Sequence, residues 1–148
     1  MRIIDLLKLK RYIKNIDSEI KVKFGNCFEC DTDRKIVWLA LKDNRLDSEM
    51  FKTWYEKHFN EILTDKDLLY ISALHEVGHI MTWTQELEDE RTEMYGLMQV
   101  VHTYQLMSTQ ELNEQYFEIP MELIATEWGR AYHRGLWAFF FFYLMKFT

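Results

Sequence analysis

Residues 75–79 read His75-Glu76-Val77-Gly78-His79 and sit inside an apolar run that starts at Leu68-Leu69-Tyr70-Ile71. No other part of the chain constrains the fold as strongly. On a helix, residues four apart share a face. His75 and His79 then offer two imidazoles to one Zn²⁺, and Glu76 stands beside them, placed to take a proton from water rather than to bind the ion. The run predicts a helix from about 65 to 84. Thr64, followed three residues later by Asp67, has the pattern of a capping box and gives that helix a start. Gly78 costs about 1 kcal/mol of helix propensity against Ala, but a residue without a side chain lets another backbone come close to the metal face. The competing reading of these five residues is a buried helix with two hydrogen-bonded core histidines.

Two His ligands leave a catalytic zinc incomplete, because such a site takes a third protein ligand and keeps one position for water. A metzincin-type extension requires His at position 85, which is Gln85. A Glu from a later helix is the other common answer. The acidic residues at 86–93 lie too near the end of the metal helix to fold back onto it. Glu122 follows Pro120 by two residues and falls in the first turn of a helix. Glu122, Ala125 and Gly129 run along one face of that helix, so small residues let it lie against the His75–His79 helix. Glu127 is about 140° around the helix from Glu122 and cannot face the same ion. Glu122 is the preferred third ligand; Glu127, His102 and His133 remain as alternatives. Tyr116, Tyr132 and His133 are the candidate donors to an oxyanion.

The rest of the chain supplies the scaffold. Its 148 residues predict one domain, and 48% hydrophobic with 16% aromatic content predicts a packed core. Residues 3–16 predict a helix with a broad apolar face (Ile3, Ile4, Leu7, Leu9, Tyr12, Ile13, Ile16). Ile20, Val22 and Phe24 alternate with charged residues as in a strand, and residues 35–41 predict a second. A short strand near Cys27–Cys30 would complete a small, largely antiparallel sheet ahead of the metal helix, with an edge able to pair with extended substrate backbone. Further helices are predicted at Ser48–Ile62, through 86–106, and from Ser108 or Pro120 onward. The expected fold class is α+β, mostly helical. Cys27 and Cys30 form one CxxC without a second Cys pair, which reads as two reduced thiols in a hairpin rather than a zinc knuckle.

Charge and hydropathy bound the partners. The net charge is -6, yet the first 24 residues carry a surplus of basic side chains. The basic face reads as the solvated side of a helix, and the acidic remainder argues against nucleic-acid binding, which needs a positive surface. No signal peptide is recognisable, so the expected location is cytoplasmic. Residues 136–145 are ten consecutive apolar residues. A bilayer span needs about 20, so no transmembrane segment is expected. This segment reads as core or as a homodimer contact, with an interfacial membrane anchor as the alternative.

His75, Glu76 and His79, together with Glu122-Leu123-Ile124-Ala125, give the chain its resemblance to the small ImmA/IrrE-type zinc metallopeptidases and related phage-encoded enzymes. The resemblance covers roughly residues 20–132, and only these two motifs are specific. It implies a zincin-like metallopeptidase fold with a gluzincin-like site: Glu76 as catalytic base, and His75, His79 and Glu122 as zinc ligands. It also implies hydrolysis of a peptide bond in an intracellular protein such as a phage or mobile-element repressor. Many such enzymes carry Asp or Asn after the Ala, as partner to a zinc-bound His. Here the residue is Thr126, whose hydroxyl can also accept a hydrogen bond, and Glu127 and Asp89 are alternatives. The main rival is a catalytically silent zincin-fold binding protein acting through protein–protein contact. A hydrolase of another amide or ester, and a structural component with an accidental motif, are two more.

Overall fold

The structure is a computed structural model and describes residues 3–41 and 45–135, with the backbone alone for 45–48. The elements run α1 (Ile3–Ile16), β1 (Lys21–Gly25), β2 (Glu29–Asp31), β3 (Ile36–Ala40), α2 (Arg45–Phe59), α3 (Asp65–Thr82), α4 (Gln85–Thr103), α5 (Thr109–Phe117) and α6 (Pro120–Arg134). The α+β expectation agrees with this mostly helical arrangement. The aromatic segment 136–145 lies outside the described residues, and with it the homodimer contact expected there. No described helix is long and apolar enough to cross a membrane.

The helix α3 is the hub. Thr64 caps it, accepting a hydrogen bond from the Asp67 N–H at 3.1 Å, and Asp65 and Asp67 place negative charge at its N-terminus. Its sides are buried against different neighbours, as befits a helix apolar on more than one face. Ala73, Leu74 and Val77 pack with Leu6, Leu9 and Ile13 of α1, Val22 of β1, and Val37 and Leu39 of β3. Ile71 packs with Phe51, Trp54 and Tyr55 of α2. The polar side, His75 to His79, meets α6.

The sheet departs from the expected antiparallel form. It is mixed, in the order β1-β3-β2, with β1 parallel to β3 and β2 antiparallel to it. The reason lies in β3. Ile36, Val37, Leu39 and Ala40 are all buried. A strand buried on both faces takes the centre of a sheet and needs a partner on each side. β1 supplies one partner, with Lys21 opposite Ile36 and Gly25 opposite Ala40. A turn at 32–35 closes the β2–β3 hairpin; in it Lys35 adopts a left-handed φ of 50°, and Asp31 accepts the Arg34 N–H at 2.9 Å. β2 is thereby left as an edge.

Three helix expectations also change. α2 ends at Phe59, before the expected Ile62, because Asn60 turns left-handed (φ 52°) and leaves Ile62 exposed. The region after Ser108 is two helices. Ser108 and Glu111 form a full capping box for α5, and Pro120 opens α6, where its missing N–H has no cost. In the apolar face expected for α1, Ile3, Ile4 and Leu7 are exposed and the burial falls to Leu6, Leu9 and Ile13.

Candidate metal centre

α3 and α6 run antiparallel at unusually close range, and two glycines permit it. A Cβ at Gly78 would collide with the backbone carbonyl of Ala125, and one at Gly129 would stand 2.9 Å from the carbonyl carbon of Leu74. The backbone approach expected at Gly78 is therefore met, and Ala125 and Gly129 are the small residues that receive it. Closeness brings Glu122, in the first turn of α6, against His75 and His79.

The three side chains converge on one point. His75 Nε2 and His79 Nε2 are 3.1 Å apart, and each is 3.2 Å from Glu122 Oε2. Four donors held tetrahedrally at zinc bond lengths of about 2.0–2.1 Å stand about 3.3–3.4 Å from one another. The observed triangle is close to three corners of that tetrahedron. Glu122 is 2% exposed, and its Oε2 is a buried atom that accepts an aligned hydrogen bond from neither imidazole. A buried carboxylate oxygen without an aligned donor is costly. An ion held by two nitrogens and one carboxylate oxygen removes that cost, so the donor set fits zinc.

Supporting contacts select the protonation state. Thr126 Oγ1 donates to the Glu122 carbonyl oxygen at 2.9 Å. Its hydrogen is thereby used, so at 2.9 Å from His75 Nδ1 it accepts. His75 then carries its proton on Nδ1 and leaves Nε2 with a lone pair aimed at the triangle, the tautomer a metal ligand requires. Thr126 thus supplies the acceptor that orients the His75 ring. His79 Nδ1 is buried with no partner among the described residues. Tyr116 donates to Glu122 Oε1 at 2.7 Å and fixes the second carboxylate oxygen.

Burial alone would raise the Glu122 carboxyl, but the two imidazoles at hydrogen-bonding distance outweigh it and hold the group far below the ordinary carboxylate range. Burial works against a charged His75, but the carboxylates of Glu122 and Glu76 outweigh it and raise the imidazole, so an ion bound at Nε2 would displace a proton from it. Burial, reinforced by Glu122, pushes the Tyr116 hydroxyl well up, and it remains a donor at any ordinary pH.

The alternative ligands fall elsewhere. Glu127 is half-buried beside His58 and Arg130. His102 faces Thr109, and His133 pairs with Asp67 at 2.8 Å. Asp89 is bound by Gln85. Of the three candidate oxyanion donors, only Tyr116 borders the site. Tyr132 stacks on Trp128 and meets Tyr12 edge-on.

One neighbour escaped the sequence reading. Cys30 of β2 packs against the core and lines the cleft together with Glu76, whose carboxylate acts on its thiol. Burial, then Glu76, pushes this thiol well above its ordinary value, so it stays S–H and is a poor nucleophile. The signal in the sequence was the CxxC itself, but nothing there points its second thiol at Glu76. Cys27, the other half of the motif, is exposed.

The centre opens into a cleft of about 1520 Å³, walled by α3 and α6 on one side and by β2 with its flanking turns on the other. That exceeds the roughly 300–1,000 Å³ of small-molecule pockets and suits a polymer segment. Comparison with protein-family models, with curated proteins and with solved structures finds no match.

Proposed function

We propose that this chain is a zinc-dependent metallopeptidase acting on a protein substrate. The observation that carries the reading is the buried triangle of His75 Nε2, His79 Nε2 and Glu122 Oε2 at the floor of a polymer-sized cleft, with Glu76 beside it. Zinc held by these three atoms would supply Lewis acidity toward a carbonyl oxygen and toward water. Glu76 is the proton carrier. Its carboxylate takes a proton from the attacking water and returns it to the leaving amine nitrogen. Thr126 and Tyr116 keep His75 and Glu122 in place. The open edge of β2 offers backbone N–H and C=O groups to an extended substrate. The resemblance to ImmA/IrrE-type enzymes extends this reading to a zincin-like, gluzincin-type enzyme, a cytoplasmic location and a phage or mobile-element repressor as substrate.

Metal analysis of the purified protein, as wild type, Glu122→Ala, Glu127→Ala and Glu76→Gln, tests the proposal. The expected result is one zinc per chain in wild type, Glu127→Ala and Glu76→Gln, and loss in Glu122→Ala. Glu76→Gln should keep its zinc and lose roughly 10²–10⁴-fold in peptide turnover. Wild-type protein that holds no zinc after reconstitution would sink the enzyme reading. Zinc without any peptide cleavage would favour a silent binding protein of the same shape.

A further inference from the structure

We infer that the cleft accepts a basic stretch of polypeptide, an extended segment with Lys or Arg at alternate positions lying along β2. This deepens the peptidase reading and rests on it. The β2 rim of the cleft carries Glu29 and Asp31 on the strand and Asp33 in the following turn, and Asp65 at the start of α3 lines the same cleft. Two cationic side chains, Lys66 and Arg91, are among the described residues lining the cleft, and Arg91 is held by Glu88. Arg34 reaches Asp31 at 3.6 Å but is itself 77% exposed. Glu29, Asp33 and Asp65 have no ion-pair partner among the described residues. Zinc would offset Glu76 and Glu122, so the excess negative charge belongs to the rim. A cleft lined by one sign of charge concentrates the opposite sign.

The rim does not form a second metal site. Among the described residues, His75, His79 and Glu122 are the group that converges on a point. Acids spread along an edge strand match a polymer of cations better than an ion. The register of β2 sharpens this. Side chains alternate along a strand, and Cys30 packs inward against the core while Glu29 is exposed, so Glu29 and Asp31 share the other face. A substrate strand pairing with β2 alternates in step. The residue beside Cys30 faces the centre, and its two neighbours face the same side as Glu29 and Asp31, where opposite charges across strands attract.

The test uses zinc-loaded Glu76→Gln protein, which binds without turnover, and three fluorescent peptides of equal length with Lys, Gln or Glu at alternate positions between alanines. Anisotropy should give at least about tenfold tighter binding for the Lys peptide than for the Glu peptide at low salt. That gap should shrink at high salt, and it should shrink in the Glu29→Gln/Asp33→Asn double variant with zinc content unchanged. Equal binding of the three peptides, no binding of any, or a Lys preference untouched by the double variant would overturn the inference. Cleavage assays with wild-type protein separate the two proposals. Equal cleavage of all three peptides leaves the peptidase and removes the charge preference. Selective binding of the Lys peptide without cleavage leaves the basic-segment surface and removes the peptidase.

Discussion

The two walls of the cleft are built on opposite plans. The α3–α6 wall is backbone against backbone, held apart by nothing larger than Gly78 and Gly129, and its functional groups are buried and locked by Thr126 and Tyr116. The β2 wall is a three-residue edge strand of exposed and half-buried side chains, closed by a turn of charged residues. The first wall holds His75, His79 and Glu122 in one fixed arrangement, which the proposed metal chemistry would demand. The second presents unpaired strand edge and charge, which adapt to whatever lies along them. On the proposed function, chemistry would sit on the tightly packed side, and recognition on the side that can change without disturbing it.

The largest effect that would test this contrast is Gly78→Ala. Helix propensity alone would make the substitution stabilising by about 1 kcal/mol. The collision with the Ala125 carbonyl should win, for a net loss of about 3 kcal/mol and a fall in Tm of roughly 10 °C. At Gly96, inside α4, an added Cβ would meet nothing within 4 Å, and Gly96→Ala should raise Tm. Thermal unfolding of the pair reads the difference directly. If both variants are stabilised, α3 and α6 are not in close contact and the first wall is not backbone on backbone.

Next comes Thr126→Val, which keeps the shape and removes the acceptor of His75 Nδ1. A buried N–H left unpaired costs about 1–3 kcal/mol. Loss of such a ligand partner typically lowers metal affinity 10–100-fold. Chelator competition should reveal the drop in zinc affinity, and Thr126→Ser should restore most of it. An unchanged affinity in Thr126→Val would mean that the Thr126 hydroxyl does not orient the ligand.

These two sites also mark how far the sequence could be read. Gly78, Ala125, Gly129 and the ligand triad were legible because helical periodicity converts spacing into facing. The small residues say that the two helices lie close; that they run antiparallel, which brings the carboxylate at the start of one to the imidazoles near the end of the other, comes from the structure. Thr126 was legible as one of three candidate partners for a histidine, with Glu127 and Asp89, and the choice among them depends on where its hydroxyl hydrogen goes. The sheet was misread because alternation and turn residues describe neighbours in sequence, whereas the central place of β3 follows from burial on both faces. Cys30 was missed for a related reason: the approach of β2 to α3 is long-range, and no local pattern encodes it.

Cys30 brings the second wall close to Glu76. Cys30→Ala removes the thiol beside Glu76 without touching a metal ligand. Zinc content should be unchanged, and turnover should fall by no more than about tenfold, an effect of up to about 1.4 kcal/mol. Cys30→Ser, which keeps a donor, should fall less. Alkylation of the native protein is a companion measurement: exposed Cys27 should react quickly and Cys30 slowly, because burial holds its thiol protonated. Loss of zinc in Cys30→Ala would place the two walls in a single unit and break the distinction between them.

The smallest effect lies at the solvent end of the first wall, where helix contact gives way to charge. His133 near the end of α6 meets Asp67 in the first turn of α3, while Arg130 and Arg134 bind Glu61. The hydrogen bond from His133, then that from Thr64, holds the Asp67 carboxyl down at about 2. A carboxyl lowered by folding adds stability above its unfolded value near 4 and loses it as the pH falls toward 2. The group is partly solvated, so its share should stay under about 1 kcal/mol. Asp67→Asn should lower stability slightly at neutral pH, and the two proteins should converge as the pH approaches 2, measured by denaturant unfolding across that range. A gap that persists at pH 2 would assign the cost to the lost helix start at Thr64 rather than to charge. A loss of several kcal/mol at neutral pH would mean that ion pairs, and not the glycine contacts, hold the two helices together.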